Sequence, residues 1–185
     1  MDGLPRKERT AWNHEAHAHF VTYSCFKHMP LLQNDRARGW VLDALEGARR
    51  SQDLAIWAYV IMPEHVHVLL CPRRPEYEMR QILAALKRPV AAAARRHMEE
   101  SGQTRWLARL TVESPSKRVF RFWQPGGGFD RNVVYEKTAE SIIRYIHMNP
   151  VRRGLVEKPL DWKWSSAGFW EGREDALVRM DRPGE

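Results

Sequence analysis

The chain has 185 residues, 43% of them apolar, which suffices for one domain with a sizeable core. Its 30 Lys and Arg outnumber 23 Asp and Glu for a net charge of +7, pointing to an anionic partner, nucleic acid before an anionic membrane surface. Two cysteines, Cys25 and Cys71, exclude a disulfide framework and a cysteine-rich zinc site. No window approaches the ~18–20 apolar residues of a membrane span, and the first 20 residues lack the apolar run of a secretory signal, so a cytoplasmic protein with no membrane contact is expected.

Residues 1–16 are polar and read as a flexible lead-in. "HAHFVTYSCF" (17–26) reads as a strand from its β-branched and aromatic content. The segment 34–52 reads as a helix, with Asn34 or Asp35 as cap and Trp40, Val41, Leu42 and Leu45 as its apolar stripe. "LAIWAYVIM" (54–62) is continuously apolar and predicts a buried strand; Pro63 marks a turn, and "HVHVLLC" (65–71) is the antiparallel return strand. After a loop at 72–77, residues 79–100 carry a helical pattern in which Pro89 predicts a kink or break, since an interior proline costs ~3 kcal/mol or more.

Residues 101–118 show no clear period and read as an irregular, basic excursion. "VFRFWQ" (119–124) reads as a short strand before the breaker "PGGG". Residues 135–149 predict a helix that ends near Asn149, because a residue before proline disfavours the helical region. The remainder is turn-rich and aromatic, with 171–185 as a tail. The order matches a split βαβ arrangement: an α+β, ferredoxin-like domain over 17–170, its antiparallel sheet carrying helices on one face, plus a C-terminal helix.

"MPEHVHVLL" places His65 and His67 two apart on a strand, so both imidazoles face one side while Val66, Val68 and Leu70 face the core. Imidazole is a common ligand for divalent transition metals, but a site needs a third donor; without one the pair is an ordinary half-exposed strand face. On the last helix, Tyr145 and Asn149 are four apart and share a face, bringing a nucleophilic oxygen beside an amide that can ligate through its oxygen. Taken singly, Tyr145 also reads as a core-edge residue and Asn149 as a cap before Pro150.

Together, "YVIMPEHVHVLL", "FWQ", "YIHMNPVRRGLV" and "DWKWSS", in that order over residues 17–170, resemble the REP-associated tyrosine transposases, a branch of the HUH single-strand endonuclease superfamily. The resemblance implies a ferredoxin-like fold, a divalent metal (Mg²⁺ or Mn²⁺) on His65, His67 and Asn149, and Tyr145 as nucleophile. It also implies cutting and rejoining of single-stranded DNA near short palindromic hairpins through a 5′-phosphotyrosine. Glu64 resembles the family's acid before the histidines and is expected to support the turn, its side chain pointing away from His65. The proton acceptor for Tyr145 stays open, with His147 one candidate. "PGGGF" and the long 101–118 excursion depart from the family pattern.

Candidate DNA contacts are Lys87, Arg88, Arg95, Arg96, Lys117, Arg118, Arg121, Arg131, Arg152 and Arg153 for phosphates, with Trp123 and Phe129 for base stacking. Trp162 and Trp164 read as structural. One nucleophilic tyrosine per chain implies either that one strand is cut at a time or that two chains cooperate; a monomer is expected, with a dimer as the alternative. Two other functions compete with the transposase reading. A non-catalytic nucleic-acid-binding protein would need none of Tyr145, Asn149, His65 and His67. A nuclease using metal-activated water would tolerate loss of the Tyr145 hydroxyl.

Overall fold

The computed structural model describes residues 17–114 and 117–183. The expectation for 1–16 falls outside them. Among the described residues six strands and five α-helices follow in the order β1 (Ala18–Ser24), α1 (Asp35–Ser51), β2 (Leu54–Ile61), β3 (His65–Pro72), α2 (Met79–Glu100), α3 (Thr104–Leu110), β4 (Thr111–Ser114), β5 (Lys117–Phe120), β6 (Phe129–Val133), α4 (Glu136–Arg152) and α5 (Ala167–Trp170). β2, β3, β1 and β6 form one antiparallel sheet in that order, as the split βαβ reading requires.

The fourth strand is a correction. It is β6, after the glycine loop, and not residues 119–124; β5 pairs only with β4 in a separate hairpin. The supposedly irregular 101–118 thus contains a helix and the start of that hairpin. Apolar content made 119–124 look like a core strand, yet Phe122 and Trp123 enter the core from irregular chain.

Alternation along the strands divides the core. Val21, Tyr23, Ile56, Tyr59, Val66, Val68 and Leu70 pack with α1 and α2 on one face. Phe20, Val60, Leu69 and Val133 pack against Ile142, Ile143 and Ile146 of α4 on the other. The sheet is therefore a middle layer, with the C-terminal helix opposite α1 and α2.

Both prolines predicted to interrupt helices lie inside them. Leu86 and Val90 bury α2 on either side of Pro89, whose own ring is exposed, so tertiary packing outweighs the local cost. Pro150 is buried on the last turn of α4, and the helix continues to Arg152 before Gly154 (φ +65°) ends it.

The C-terminal residues also close the domain rather than trail from it. Val178, Met180 and Asp181 are buried, Asp181 N–H donates to the Ile56 carbonyl at 2.9 Å, and Arg73 donates to its carboxylate at 2.6 Å. Upstream, Ile61 N–H donates to the Trp164 carbonyl and Ser166 N–H to that of Tyr59. "DWKWSS" and the tail thus cover the outer edge of β2, and Trp162 and Trp164 are structural, as expected.

Candidate active site

His65 and His67 leave β3 on the α4 face of the sheet, because the strand period sends Val66, Val68 and Leu70 the other way. The two Nε2 atoms face each other at 3.0 Å. Each ring is held from behind. His65 Nδ1 donates to Glu64 Oε1 at 3.1 Å, and His67 Nδ1 lies 2.7 Å from Thr22 Oγ1, on the neighbouring strand at the paired position. Glu64 therefore turns back onto His65, against the expectation that it points away: it precedes the strand, where alternation does not apply. Arg153 clamps the same carboxylate oxygen at 2.8 Å.

From above, α4 presents Tyr145 and Asn149 one turn apart. Tyr145 is 38% exposed, its ring edge-on to His67 at 5.6 Å and to Phe20 at 5.9 Å. Asn149 is buried; its Nδ2 donates to the Tyr145 carbonyl at 2.9 Å and its side chain hydrogen-bonds His67. Because α4 runs through Pro150, Arg152 lies over the Tyr145 ring at 5.0 Å and Arg153 reaches Glu64.

These residues fit a divalent cation. A carboxylate can only accept, so Glu64 fixes the His65 proton on Nδ1 and leaves a lone pair on Nε2. Two donors at right angles on an octahedral ion, each at about 2.1 Å, stand about 3.0 Å apart, which is the separation observed. Burial, with the neighbouring His65 ring as a smaller cause, pushes the His67 imidazole down to about 3, and burial lowers His65 as well, which favours the neutral, ligand-competent form of each ring. Among the described residues no three His, Cys, Asp or Glu gather as a metal set; the Asn149 side chain, beside His67, is a third donor that could join the two imidazoles.

His147 is not placed to receive the Tyr145 proton. Residues two apart on a helix point in nearly opposite directions, and His147 Nε2 bonds Ser166 Oγ at 2.9 Å, away from the histidine pair.

No family model matches the chain, and no curated protein does. Among solved structures, a REP-associated tyrosine transposase bound to a REP hairpin superposes with a TM-score of 0.68, covering 97% of this chain and 93% of that one at 18% identity. The fold is that of a REP-associated tyrosine transposase. A Deinococcus radiodurans protein described as a transposase is also similar, with a TM-score of 0.45 and 21% identity over 76% of this chain and 95% of that one.

On this transposase fold the candidate DNA contacts divide. Phe129 and Arg131 pair with Thr22 and Phe20 across β1, so they share the face of His67 and Tyr145. Phe129 is 53% exposed and its ring meets Phe20 at 6.0 Å, leaving an open aromatic face beside the site. Arg152 and Arg153 are exposed at the same site. Lys117, Arg118 and Arg121 belong to the β4–β5 hairpin and its exit, and Arg95, paired with Glu99 at 2.8 Å, lines a cleft with Arg118. Arg96 is an exposed residue of α2.

Lys87 and Arg88 border the glycine loop on the opposite face of the sheet. Trp123 is a correction: at 6% exposure it packs against Tyr23 and Phe122 while its Nε1 donates to the Lys87 carbonyl, so no face is open to a base.

Sequence reading missed Phe20 and Thr22. Phe20 stacks on His67 at 5.5 Å and joins that ring to Tyr145 and Phe129. Strand alternation predicts that both share a face, but only the pairing of β1 with β3 puts them behind His67.

Proposed function

We propose that this protein is a metal-dependent single-strand DNA endonuclease and transposase of the REP-associated tyrosine type, acting beside short hairpins. The observation that carries the reading is the meeting of His65 and His67 Nε2 at 3.0 Å with Tyr145 edge-on to His67, two segments about eighty residues apart in sequence. The transposase that shares its fold is bound to a REP hairpin, and we extend that class of partner to this chain.

In this mechanism Tyr145 Oη attacks a backbone phosphorus. The Oη–P bond forms and the P–O3′ bond breaks, leaving a 5′-phosphotyrosine and a 3′-oxygen that takes up a proton. The phenol proton passes to solvent or a substrate oxygen. His65, His67 and Asn149 would hold Mg²⁺ or Mn²⁺, which when bound polarises the scissile phosphate as a Lewis acid. Arg152, above the Tyr145 ring, and Arg131, on the adjoining strand, supply positive charge for flanking phosphates. Phe129 offers a surface on which an unpaired base stacks. Rejoining is the reverse attack by a 3′-OH on the phosphotyrosine, so the linkage is conserved without ATP.

The test is a denaturing gel of the protein with Mn²⁺ or Mg²⁺ and end-labelled hairpin oligonucleotides carrying single-stranded flanks, beside Tyr145→Phe. A protein-linked DNA band that needs both the metal and the hydroxyl is the expected result. Cleavage that survives Tyr145→Phe would instead assign the chemistry to activated water, and tight binding without cleavage would assign a binding protein.

A further inference from the structure

On the face of the sheet away from Tyr145, a groove of about 420 Å³ runs between α2 and the glycine loop, lined by Met79, Leu83, Ala84, Arg88, Gly126 and Asp130. That volume lies in the ~300–1,000 Å³ range of ligand sites. Its floor is apolar and its rim cationic, with Arg80 and Arg88 exposed. Lys87 does not face a ligand freely; its Nζ donates to the Gly126 carbonyl at 2.9 Å and so fixes the wall.

One wall of the groove is set by a hydrogen-bonded chain centred on a buried histidine. His19 is 1% exposed, with Nδ1 at 3.0 Å from Asp130 Oδ1 and Nε2 at 2.7 Å from the Tyr77 hydroxyl. Burial pushes the Tyr77 phenol up to about 12, so it stays protonated and can donate to His19, whose other nitrogen then donates to Asp130. The Asp130 carboxylate is thereby locked as an acceptor. The mechanism above uses none of Tyr77, His19 and Asp130.

We propose that this groove is a second DNA site that receives one unpaired nucleotide and selects guanine. A carboxylate matches the two adjoining donors, N1–H and N2–H, that guanine alone presents on its Watson–Crick edge. Arginine matches the guanine O6 and N7 acceptors. Gly126 and Gly127 have no side chain to obstruct a planar base, and Met79 and Leu83 give it an apolar floor. The inference rests on the single-strand DNA reading and adds the base that is read.

The experiment is anisotropy with Tyr145→Phe protein in EDTA, so that neither cleavage nor metal enters, and a labelled oligothymidine carrying one central G, A, C, T or inosine. Guanine is expected to bind about tenfold tighter than A, C or T, with inosine, which lacks N2–H, between them. Asp130→Asn is expected to remove the preference while oligothymidine binds as before. Ala84→Trp, which fills the groove from a half-buried position on α2, is expected to do the same. Equal binding of all bases, or a preference that survives both variants, overturns the groove assignment alone. No binding to any oligonucleotide overturns both it and the single-strand reading.

Discussion

His65 Nε2 and His67 Nε2 stand 3.0 Å apart, and the nitrogen at the back of each ring is held by a different element, the turn before β3 for His65 and strand β1 for His67. Two imidazoles this close are joined by a shared proton or by a cation. Glu64 keeps the proton of His65 at the back, which leaves the His65 Nε2 lone pair free either to accept from His67 Nε2–H or to face a cation.

Glu64→Gln should weaken metal-dependent cleavage by about 10–100-fold at low Mn²⁺, the usual loss when a residue behind a metal ligand is changed. Gln can no longer balance Arg153 or force the His65 tautomer. Cleavage rates measured against Mn²⁺ concentration should recover as the ion is raised. A rate that is unchanged at low Mn²⁺ would remove Glu64 from the site.

Gly128→Ala should destabilise the fold by about 2 kcal/mol or more. Gly128 has φ +76°, and a Cβ there would run into the carbonyl of Thr22, the residue whose hydroxyl meets His67. The glycine-rich departure at "PGGGF" is therefore a close crossing of the loop over β1. A denaturant midpoint equal to that of the parent protein would contradict this.

Stability should fall as pH drops below the ordinary histidine range. Burial pushes His67 down to about 3 and His147 down to about 4. In the unfolded chain both take up protons near about 6.5, so between that value and the lower ones the unfolded state binds more protons than the fold. Stability thus rises with pH across this window and levels off above it. Denaturant midpoints between about pH 6.5 and 5 should show the decline, and His147→Asn should show less of it. A flat profile in the parent protein would overturn the assignment of buried neutral rings.

Arg131→Ala should weaken single-strand binding alike for all sequences and make the log–log salt slope shallower by about 0.7, the share of one phosphate contact. Arg131 pairs with Phe20 on the face of Tyr145. An unchanged slope would place the DNA path elsewhere.

The two candidate pairs were legible because each is local. Strand period puts His65 beside His67, and helix period puts Tyr145 beside Asn149, whatever the rest of the chain does. Trp123 was not legible in this way. Its type and basic surroundings suit a base-stacking role, and only the pairing of Cys25 with it across the domain shows that it enters the core. The fourth strand was misplaced for a related reason: 119–124 is the more apolar segment, but β1 pairs with 129–133.

By itself the sequence determined the first three strands, the three long helices and the two candidate site faces, since hydrophobic period and residue spacing are properties of neighbouring residues. Tertiary structure alone decided that Glu64 and Thr22 stand behind the histidines, that α4 continues through Pro150 to carry Arg152 over Tyr145, and that Tyr77, His19 and Asp130 form one hydrogen-bonded chain. The physical reason is that these contacts join separate segments or override local preference. Their free energy comes from packing and pairing that exist only once the sheet has closed.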